Sequence, residues 1–297
     1  MIVITAPTGQ IGSQVLDALL DGGHSVRVRV IARDPSRLTP RTRERAEVVR
    51  GSHRDPATLA DALRGADSML WLVPPNPAAD DIHEHYLGFT RPACEALADH
   101  GVERVVGVTS LGRAYGRPAG LLSPAFAMDD MIERTGVHYR ALAMPFFMEN
   151  LLHQAESIKA HGTFSLPNTA DRPLATVATR DIAATAAALL VDGSWSGQDT
   201  VPVIGDTLSP DAMAHVLSEV LERPIGFQQV DERAYQETMT RYGMSAAWAQ
   251  GLVDMAAAQN GGIYDAEHKA TPSAAPTDFR RWCAEVLKPN LLDLNRS

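Results

Sequence analysis

Cysteine is scarce in this chain of 297 residues, which contains only Cys94 and Cys283. The two lie far apart and fit neither a CxxC motif nor a mixed Cys/His spacing, so the sequence predicts no disulfide framework and no metal site. We expect both thiols to be small apolar core residues. Long apolar runs are also missing, since no segment approaches the roughly 18 residues that a membrane helix needs, and no cleavable basic leader is evident. These features predict a soluble cytoplasmic protein.

Lysine is also rare, with only Lys159, Lys269 and Lys288, and most of the basic residues are arginines that do not cluster. The 27 basic residues are outnumbered by 36 acidic ones, which gives a net charge of -9. A protein that binds nucleic acid directly usually carries a basic patch. The charge pattern therefore argues against nucleic acid as a direct partner.

Short β-branched segments alternate with helical patterns across the first half of the chain. The predicted strands are "MIVIT", "VRVRVIA", "AEVVRG", "SMLWLV", "RVVGVTS" and "HYRALAM". This spacing predicts an α/β fold with a Rossmann-like, doubly wound parallel sheet. Four glycines stand just beyond the predicted helices, where a left-handed residue often ends a helix: Gly22, Gly65, Gly101 and Gly136.

The regular alternation weakens near residue 155. From there the sequence contains proline-punctuated loops, an alanine-rich helix and a strand at "DTVPVIG". We therefore expect a dinucleotide-binding domain over residues 1–154 and a smaller α/β lobe over residues 155–297. The lobe is expected to pack on the first domain as one unit and to cover the carboxyl edge of the sheet, with the substrate held beneath it.

The opening turn departs from the usual glycine pattern of a nucleotide-binding unit. Such a turn has three glycines, and here the positions are Ala6, Gly9 and Gly12. Gly9 would let a diphosphate approach the backbone, Gly12 would let helix and strand pack closely, and the first helical amides would bind the anion. Ala6 is tolerable if its φ is negative, and Pro7 would stiffen the loop. The alternative is a strand-to-helix loop that binds nothing.

The end of the second strand indicates which dinucleotide binds. An acidic residue here would grip the ribose hydroxyls of NAD, whereas an arginine accommodates the 2′-phosphate of NADP. Arg33 stands at this position, Arg37 follows one turn later, and Asp34 precedes a proline and is expected to cap the turn. We therefore expect NADP(H) as the cofactor. The alternative is that Arg33 is only a solvated loop charge.

Several motifs in register give a family resemblance across most of the chain. They are the glycine turn, Arg33, "VVRGSHRDPATLADALRGADSMLWLVPP", "GVERVVGVTSLG" and "FFMENLL", followed by "TRDIAATAAALL", "SEVLERPIGFQQV" and "APTDFRRW". With these motifs the chain resembles the NmrA-like branch of the atypical short-chain dehydrogenase/reductase superfamily. That branch includes quinone and triphenylmethane dye reductases as well as a transcriptional regulator.

The resemblance implies a cofactor site built from residues that follow successive strands. Its implied members are Thr8, Gly9, Gln10, Ile11, Gly12, Arg33, Ser52, His53, Val73, Pro74, Pro75, Thr109, Ser110, Met144 and Pro145. Ser52 and His53 stand where the family commonly has Gly-Asp beside the adenine, so adenine recognition is altered here. Phe146 and Phe147 would line the substrate pocket or, alternatively, pack in the core.

The usual catalytic pair of the superfamily is incomplete in this chain. That pair is a tyrosine and a lysine four residues later, and the single candidate, Tyr115, is followed at that distance by Ala119. No lysine lies on the predicted helix between Leu121 and Thr135. Tyr115 is therefore a candidate catalytic acid without its partner. Carbonyl reduction by a Tyr-Lys pair is not expected.

A quinone or an enone remains a suitable acceptor, because the enzyme then mainly has to position the two reactants. We therefore expect an NADPH-dependent oxidoreductase that transfers hydride to a small, electron-poor acceptor. One alternative is a catalytically silent NAD(P)-binding redox sensor that signals to a protein partner. Another is a biosynthetic enzyme that uses the fold for a non-redox step. The chain is expected to be a monomer or a homodimer.

Overall fold

The computed structural model describes residues 1–22, 26–266 and 275–293. The described chain forms two compact units whose sequences interleave. The first unit comprises residues within Met1–Ser110, Ser123–Ala143 and Ile182–Val201, and the second comprises Leu111–Leu122, Met144–Asp181 and the described residues from Pro202 onward. The sequence predicts one boundary after residue 154, whereas the chain passes between the two units several times.

The first unit is built on a seven-stranded sheet. Its strands are β1 (Ile2–Ile4), β2 (Val28–Ala32), β3 (Glu47–Arg50), β4 (Ser68–Trp71), β5 (Arg104–Ser110), β6 (His138–Met144) and β10 (Gln198–Pro202). Their order is β10-β6-β5-β4-β1-β2-β3, and β1, β2, β3, β4 and β5 pair in parallel. The predicted doubly wound α/β fold is confirmed, and the strand order reverses between β1 and β4.

Helices connect these strands, and side chains fix where several of them begin. They are α1 (Gln10–Asp21), α2 (Pro40–Arg45), α3 (Pro56–Leu63), α4 (Ile82–His100), α5 (Ser123–Glu133) and most of α7 (Thr179–Val191). The side chains of Thr39, Asp55 and Asp81 accept hydrogen bonds from the first turns of α2, α3 and α4. One first-turn N–H of each of these three helices is thus bonded to a side chain.

Three of the four predicted helix-ending glycines adopt the left-handed conformation. The φ angles of Gly65, Gly101 and Gly136 are 67°, 66° and 79°. The prediction for Gly22 is wrong, because its φ is -66°. Its N–H bonds the carbonyl of Ala18 four residues earlier, so α1 ends without the reversal that requires a left-handed residue.

A buried carboxylate organises the core beside β5 and β6. Asp129 on α5 is 1% exposed and accepts hydrogen bonds from the Tyr139 hydroxyl and the Thr109 hydroxyl, both at 2.6 Å. A Cβ at Gly107 would stand 2.0 Å from the Tyr139 hydroxyl oxygen, so glycine is needed to admit that ring. A buried carboxyl group is tolerated when it is hydrogen-bonded in this way.

The second unit contains two small sheets. One consists of β7 (Phe146–Phe147), β9 (Leu174–Val177) and β11 (Asp206–Leu208), and the other pairs β8 (Thr163–Leu166) with β12 (Gly226–Gln229) in parallel. Its helices are α6 (Ala155–His161), α8 (Pro210–Leu221), α9 (Glu232–Arg241), α10 (Ala246–Asn260), α11 (Phe279–Trp282) and α12 (Lys288–Asp293). No helix in the described ranges is both long and apolar enough to cross a membrane.

Glu149 anchors the "PFFMENLL" segment within the second unit. It is buried and accepts hydrogen bonds from the Thr179 N–H at the start of α7 and from the Trp282 indole N–H, both at 3.1 Å. Cys283 begins the π-helical turn after Trp282 and is fully buried, as expected, whereas Cys94 is only partly buried. The "FFMEN" and "FRRW" motifs therefore meet through a buried carboxylate.

Candidate cofactor-binding site

The turn between β1 and α1 holds Ala6 in the left-handed region, with a φ of 48°. The condition under which the sequence analysis considers Ala6 tolerable, a negative φ, is therefore not met. The chain reverses sharply here, and the Gly9 N–H donates a hydrogen bond to the Ala6 carbonyl at 3.0 Å. The residue at position 6 must be left-handed to make this turn, and glycine adopts that conformation without strain. For alanine that conformation costs roughly 1–2 kcal/mol, so the turn keeps the shape of the glycine version at an energetic cost.

Replacing Ala6 by glycine is therefore expected to stabilise the protein by about 1 kcal/mol, since alanine at a positive φ is strained. Ala60 in the middle of α3 is a matched control, because A60G in a regular helix should lower the free energy of unfolding by about 0.5–1 kcal/mol. Urea unfolding of both variants compares the two sites. A loss for A6G as large as that for A60G would show that Ala6 is not strained.

Gly9 and Gly12 have different roles in this turn. A Cβ at Gly12 would stand 2.2 Å from the Ala6 carbonyl oxygen, so this glycine allows α1 to pack closely, as expected. Gly9 has an ordinary extended conformation, with φ -83° and ψ 167°. A Cβ there would meet only the Ala6 oxygen, at 3.4 Å, which is ordinary contact. The fold itself therefore leaves space at Gly9, on the exposed side of the turn.

The amide donors at the start of α1 lack a side-chain cap. Gly9 is the N-cap residue, and the first turn contains no acidic residue. Thr8, Gly9 and Gln10 are exposed, while Ile11 and Gly12 are buried beneath them. Unpaired amides and the helix dipole together attract an anion. The turn therefore has the geometry and the electrostatics of a phosphate-binding site.

Of the residues after β2, Asp34 caps the turn as the sequence predicts, while Arg33 stays exposed. Asp34 caps the short 3-10 turn Pro35–Arg37 by accepting hydrogen bonds from the Ser36 N–H at 3.0 Å and the Ser36 hydroxyl at 2.6 Å. These hydrogen bonds lower the pKa of Asp34. Arg33 is exposed and forms no hydrogen bond or ion pair with the described part of the chain. Its guanidinium is available to an anionic ligand.

Arg50 is a third arginine at this edge, and the sequence analysis did not identify it. It ends β3 and pairs in register with Ala32, directly before Arg33. The charges of Arg37 and Arg50 both contribute to the lowered pKa of Asp34, which places them near one another. The sequence signal for Arg50 was its place near the end of the predicted strand "AEVVRG", because parallel strands end at the same edge of a sheet.

The residues after β3 and β4 lie beside the same edge. The Ser52 hydroxyl accepts a hydrogen bond from the Arg54 N–H at 3.2 Å, and His53 is buried. After β4, Val73 is buried and Pro75 is exposed. The carbonyl of Pro74 hydrogen-bonds the imidazole Nε2 of His85 at 2.8 Å. The loop after β4 is thereby fixed to the first turn of α4.

The remaining predicted site residues are divided between the two units. Thr109 and Ser110 end β5 in the first unit and are each 8% exposed, with the Thr109 hydroxyl bonded to Asp129. In the second unit Met144, Pro145 and Phe146 are buried and Phe147 is half-buried. Phe146 and Phe147 form β7 and pair with Thr176 and Val177 of β9. Packing within the second unit thus already explains the burial of Phe146.

Tyr115, the candidate catalytic acid, lies in the loop after β5. It ends a 3-10 turn between two left-handed glycines, and its hydroxyl lies against Gly261, where a Cβ would stand 2.6 Å away. The guanidinium carbon of Arg117 stands 4.1 Å from the centre of the Tyr115 ring. Ala119, four residues after the tyrosine, is fully buried. The cation on this tyrosine ring is therefore Arg117, two residues later in the chain. Arg117 was not considered as a partner of Tyr115 from the sequence.

Comparisons with known proteins agree with this architecture. Quinone oxidoreductase 2 of Escherichia coli is 25% identical over 267 residues, covering 89% of this chain and 90% of that protein. The (4-alkanoyl-5-oxo-2,5-dihydrofuran-3-yl)methyl phosphate reductase of Streptomyces griseus is 28% identical over 289 residues, covering 96% and 97%. The solved Escherichia coli NADPH-dependent quinone oxidoreductase in complex with NADPH has a TM-score of 0.80 at 22% identity, covering 97% and 99%.

The cofactor expected from the sequence is thus the one bound in that solved structure. The NmrA-like family matches residues 1–277 of this chain. Both the glycine turn and the later "APTDFRRW" segment begin within this range. The match extends over most of the described fold, and this protein therefore belongs to the NmrA-like family.

Proposed function

We propose that this chain is an NADPH-dependent reductase that transfers hydride to a small, flat, electron-poor acceptor such as a quinone or an enone. The main supporting observation is Arg33, which stands exposed and without a described partner where a 2′-phosphate would bind, while Asp34 is occupied as a turn cap. Two relatives, a quinone oxidoreductase and a dihydrofuranone phosphate reductase, support the reaction class.

The opening turn would bind the diphosphate of the cofactor, and the arginines would bind its 2′-phosphate. Thr8 to Gly12 would receive the diphosphate at the start of α1, with Gly9 allowing its close approach. Arg33 would bind the 2′-phosphate by charge-assisted hydrogen bonds, and Arg37 and Arg50 would add positive charge nearby. When bound, NADPH supplies the hydride. The other residues assigned to this site in the sequence analysis remain part of the proposal.

The proposed acceptor class follows from the lack of a lysine four residues after Tyr115. Without the lysine of a Tyr-Lys pair, the chain suits acceptors whose reduced form can take its proton from water. Addition of hydride and a proton converts a quinone into a hydroquinone, so electrons and atoms balance without a further reactant. Where an acceptor needs a positioned acid, Tyr115 is the proposed donor, with Arg117 stacked on its ring.

Replacing Arg33 by alanine is expected to weaken NADPH binding at least about tenfold, because one charged hydrogen-bond partner contributes roughly 1.5–3 kcal/mol. NADH, which lacks the 2′-phosphate, should lose little affinity. Calorimetric titration of both nucleotides measures the two changes.

Arg43 provides the matched control for R33A. It is an exposed arginine of α2 without a described ion pair, and R43A should leave both affinities unchanged. If R33A weakened NADPH and NADH equally, the assignment of Arg33 to the 2′-phosphate would be wrong.

Turnover is tested by following NADPH oxidation at 340 nm with a panel of quinones and enones. Steady acceptor-dependent consumption would support the proposed reductase. Binding of NADP⁺ as tight as that of NADPH, with no turnover for any acceptor, would contradict it and favour the redox-sensor alternative.

A further inference from the structure

A cavity of about 360 Å³ lies at the amino edge of the seven-stranded sheet. Its lining includes Ile2, Ser68 and Arg104, which are the first residues of β1, β4 and β5. Parallel strands begin at one edge of a sheet, so this cavity and the cofactor turn lie at opposite ends of the strands. The volume falls in the range of small-molecule sites and equals that of about a dozen water molecules. The cavity is therefore a candidate second ligand site within the first unit.

The strand register brings polar side chains together on one wall of this cavity. Ile2 pairs with Ser68 on the neighbouring strand, and Ser68 pairs with Arg104 on the next. Register partners on adjacent strands lie about 5 Å apart and direct their side chains to the same face of the sheet. The sheet thus places a hydroxyl beside a guanidinium on the face that the cavity adjoins.

Ser68 is a buried polar residue whose hydroxyl has no partner in the described part of the chain. The residue is 5% exposed, and no hydrogen bond of its hydroxyl is formed within the described ranges. The oxygen is not sealed in the core, because the residue lines the cavity. Buried hydroxyls nearly always have a hydrogen-bond partner. This hydroxyl therefore requires a partner inside the cavity.

Two arginines supply positive charge to the same space. The Arg104 guanidinium is held by the Trp195 carbonyl, which accepts from Nε at 3.1 Å, and by Glu103, which accepts from Nη1 at 2.7 Å. Its Nη2 has no partner among the described residues. Arg27 also lines the cavity, and its exposed guanidinium forms no hydrogen bond or ion pair within the described ranges. A guanidinium that is already fixed is well suited to bind a carboxylate.

The nearby carboxylates limit the charge that the cavity can accept. Asp67 lines it but forms an ion pair with the amino group of Met1. Glu103 is bonded to Arg104, and Asp192 accepts a hydrogen bond from a backbone N–H at 2.8 Å. The carbonyl end of α7 adds a weak negative potential. This balance favours a ligand with one negative charge over a multivalent phosphate.

Apolar side chains form another part of the cavity wall. They come from β1, from the segment before β2 and from the end of α7, and they are Ile2, Val26, Leu190 and Val191. Such a wall gains free energy when a hydrocarbon group displaces water from it. The cavity therefore combines a polar end for one charged group with apolar contacts for the rest of a ligand.

We propose that this cavity binds a small organic monocarboxylate with a compact apolar body, such as an arylacetate. The carboxylate would accept hydrogen bonds from the Ser68 hydroxyl and from Arg104 Nη2, and Arg27 would pair with its charge. The hydrocarbon part would lie against the apolar wall. The site does not depend on the proposed reductase function, because none of its named residues belongs to the cofactor turn or to the arginines assigned to the 2′-phosphate.

The test is a ligand-observed NMR titration of the full chain with phenylacetate, with and without saturating NADPH. Phenylacetate should bind with a dissociation constant of about 1 mM in both conditions, and uncharged phenylacetamide should bind at least about tenfold more weakly. S68A should weaken phenylacetate about tenfold and R27A about fivefold. Arg104 is left intact because it also bonds Trp195.

Arg91 provides the control for these variants. It is an exposed arginine of α4 whose only described ion pair, with Glu84, spans 3.4 Å, so R91A should leave phenylacetate binding unchanged. Urea unfolding of S68A and R27A shows whether each variant keeps the stability of the unaltered protein. A loss of binding in a variant of unchanged stability then reports on the cavity itself.

Four results would overturn the proposal. They are no binding of phenylacetate at about 10 mM, equal binding to S68A, R27A and the unaltered protein, loss of binding when NADPH is saturating, and tighter binding of inorganic phosphate than of phenylacetate. The third result would place the probe at the cofactor edge, and the fourth would change the ligand class to a multivalent anion. Failure of NADPH to bind would contradict only the proposed reductase function.

Discussion

Replacing Gly9 by alanine is expected to weaken NADPH binding at least about tenfold while leaving the stability of the fold nearly unchanged. The backbone at Gly9 is in an ordinary extended conformation, and the new methyl group would meet only the Ala6 carbonyl oxygen, at 3.4 Å. The chain therefore tolerates the side chain. The methyl group would instead occupy the space through which the diphosphate approaches the first amides of α1.

Gly12 is the matched control on the same turn. A Cβ there would stand 2.2 Å from the Ala6 carbonyl oxygen and 2.9 Å from its carbonyl carbon, so α1 would have to move away from the turn. G12A is expected to lower the free energy of unfolding by about 3 kcal/mol, which is at the upper end of ordinary overpacking costs. Chemical unfolding and NADPH titration of both variants separate the two roles.

Two results would contradict this division of roles. If G9A lost as much stability as G12A, Gly9 would be a structural glycine and its effect on binding would be indirect. If G9A remained stable and bound NADPH as tightly as the unaltered protein, the diphosphate would not lie over Gly9. The opening turn would then be an ordinary strand-to-helix connection.

The sheet of the first unit could be predicted because each of its strands is marked by the residues within it and beside it. Fully buried parallel strands appear as short β-branched runs, and the helices between them show their own periodicity and caps. The capping role of Asp34 was predictable for the same reason, since it depends only on the residues beside it. The exposed position of Arg33 follows directly from its place after β2.

Features set by distant contacts could not be predicted in the same way. The positive φ of Ala6 reflects how closely α1 approaches the end of β1, which the preference of alanine for negative φ does not reveal. Asp129 is a charged residue in an amphipathic helix, and only the fold brings Tyr139 and Thr109 to it. The burial of His53 depends on Trp71 and Phe89, which belong to other elements.

Acidification is expected to destabilise this protein through His53, by about 3 kcal/mol in total. In the unfolded chain the pKa of this histidine returns to its ordinary value of 6.5, whereas burial in the folded state lowers the pKa to about 4. Between these two values the unfolded state binds more protons than the folded state. The contribution of neutral His53 is therefore fully present above pH 6.5 and is lost as the pH falls toward 4.

Urea unfolding at pH 7.5, 5.5 and 4.5 in the absence of nucleotide measures this loss, with H53F as the comparison. Arg33 acts electrostatically on the His53 ring and Arg54 lies over Phe89, and both stay positive throughout. His85, whose ring also contacts Phe89, is retained in both proteins. Other titrating groups therefore cancel in the comparison. The unaltered protein should lose about 2–3 kcal/mol more than H53F by pH 4.5. Parallel losses in the two proteins would show that His53 is charged or exposed in the folded state.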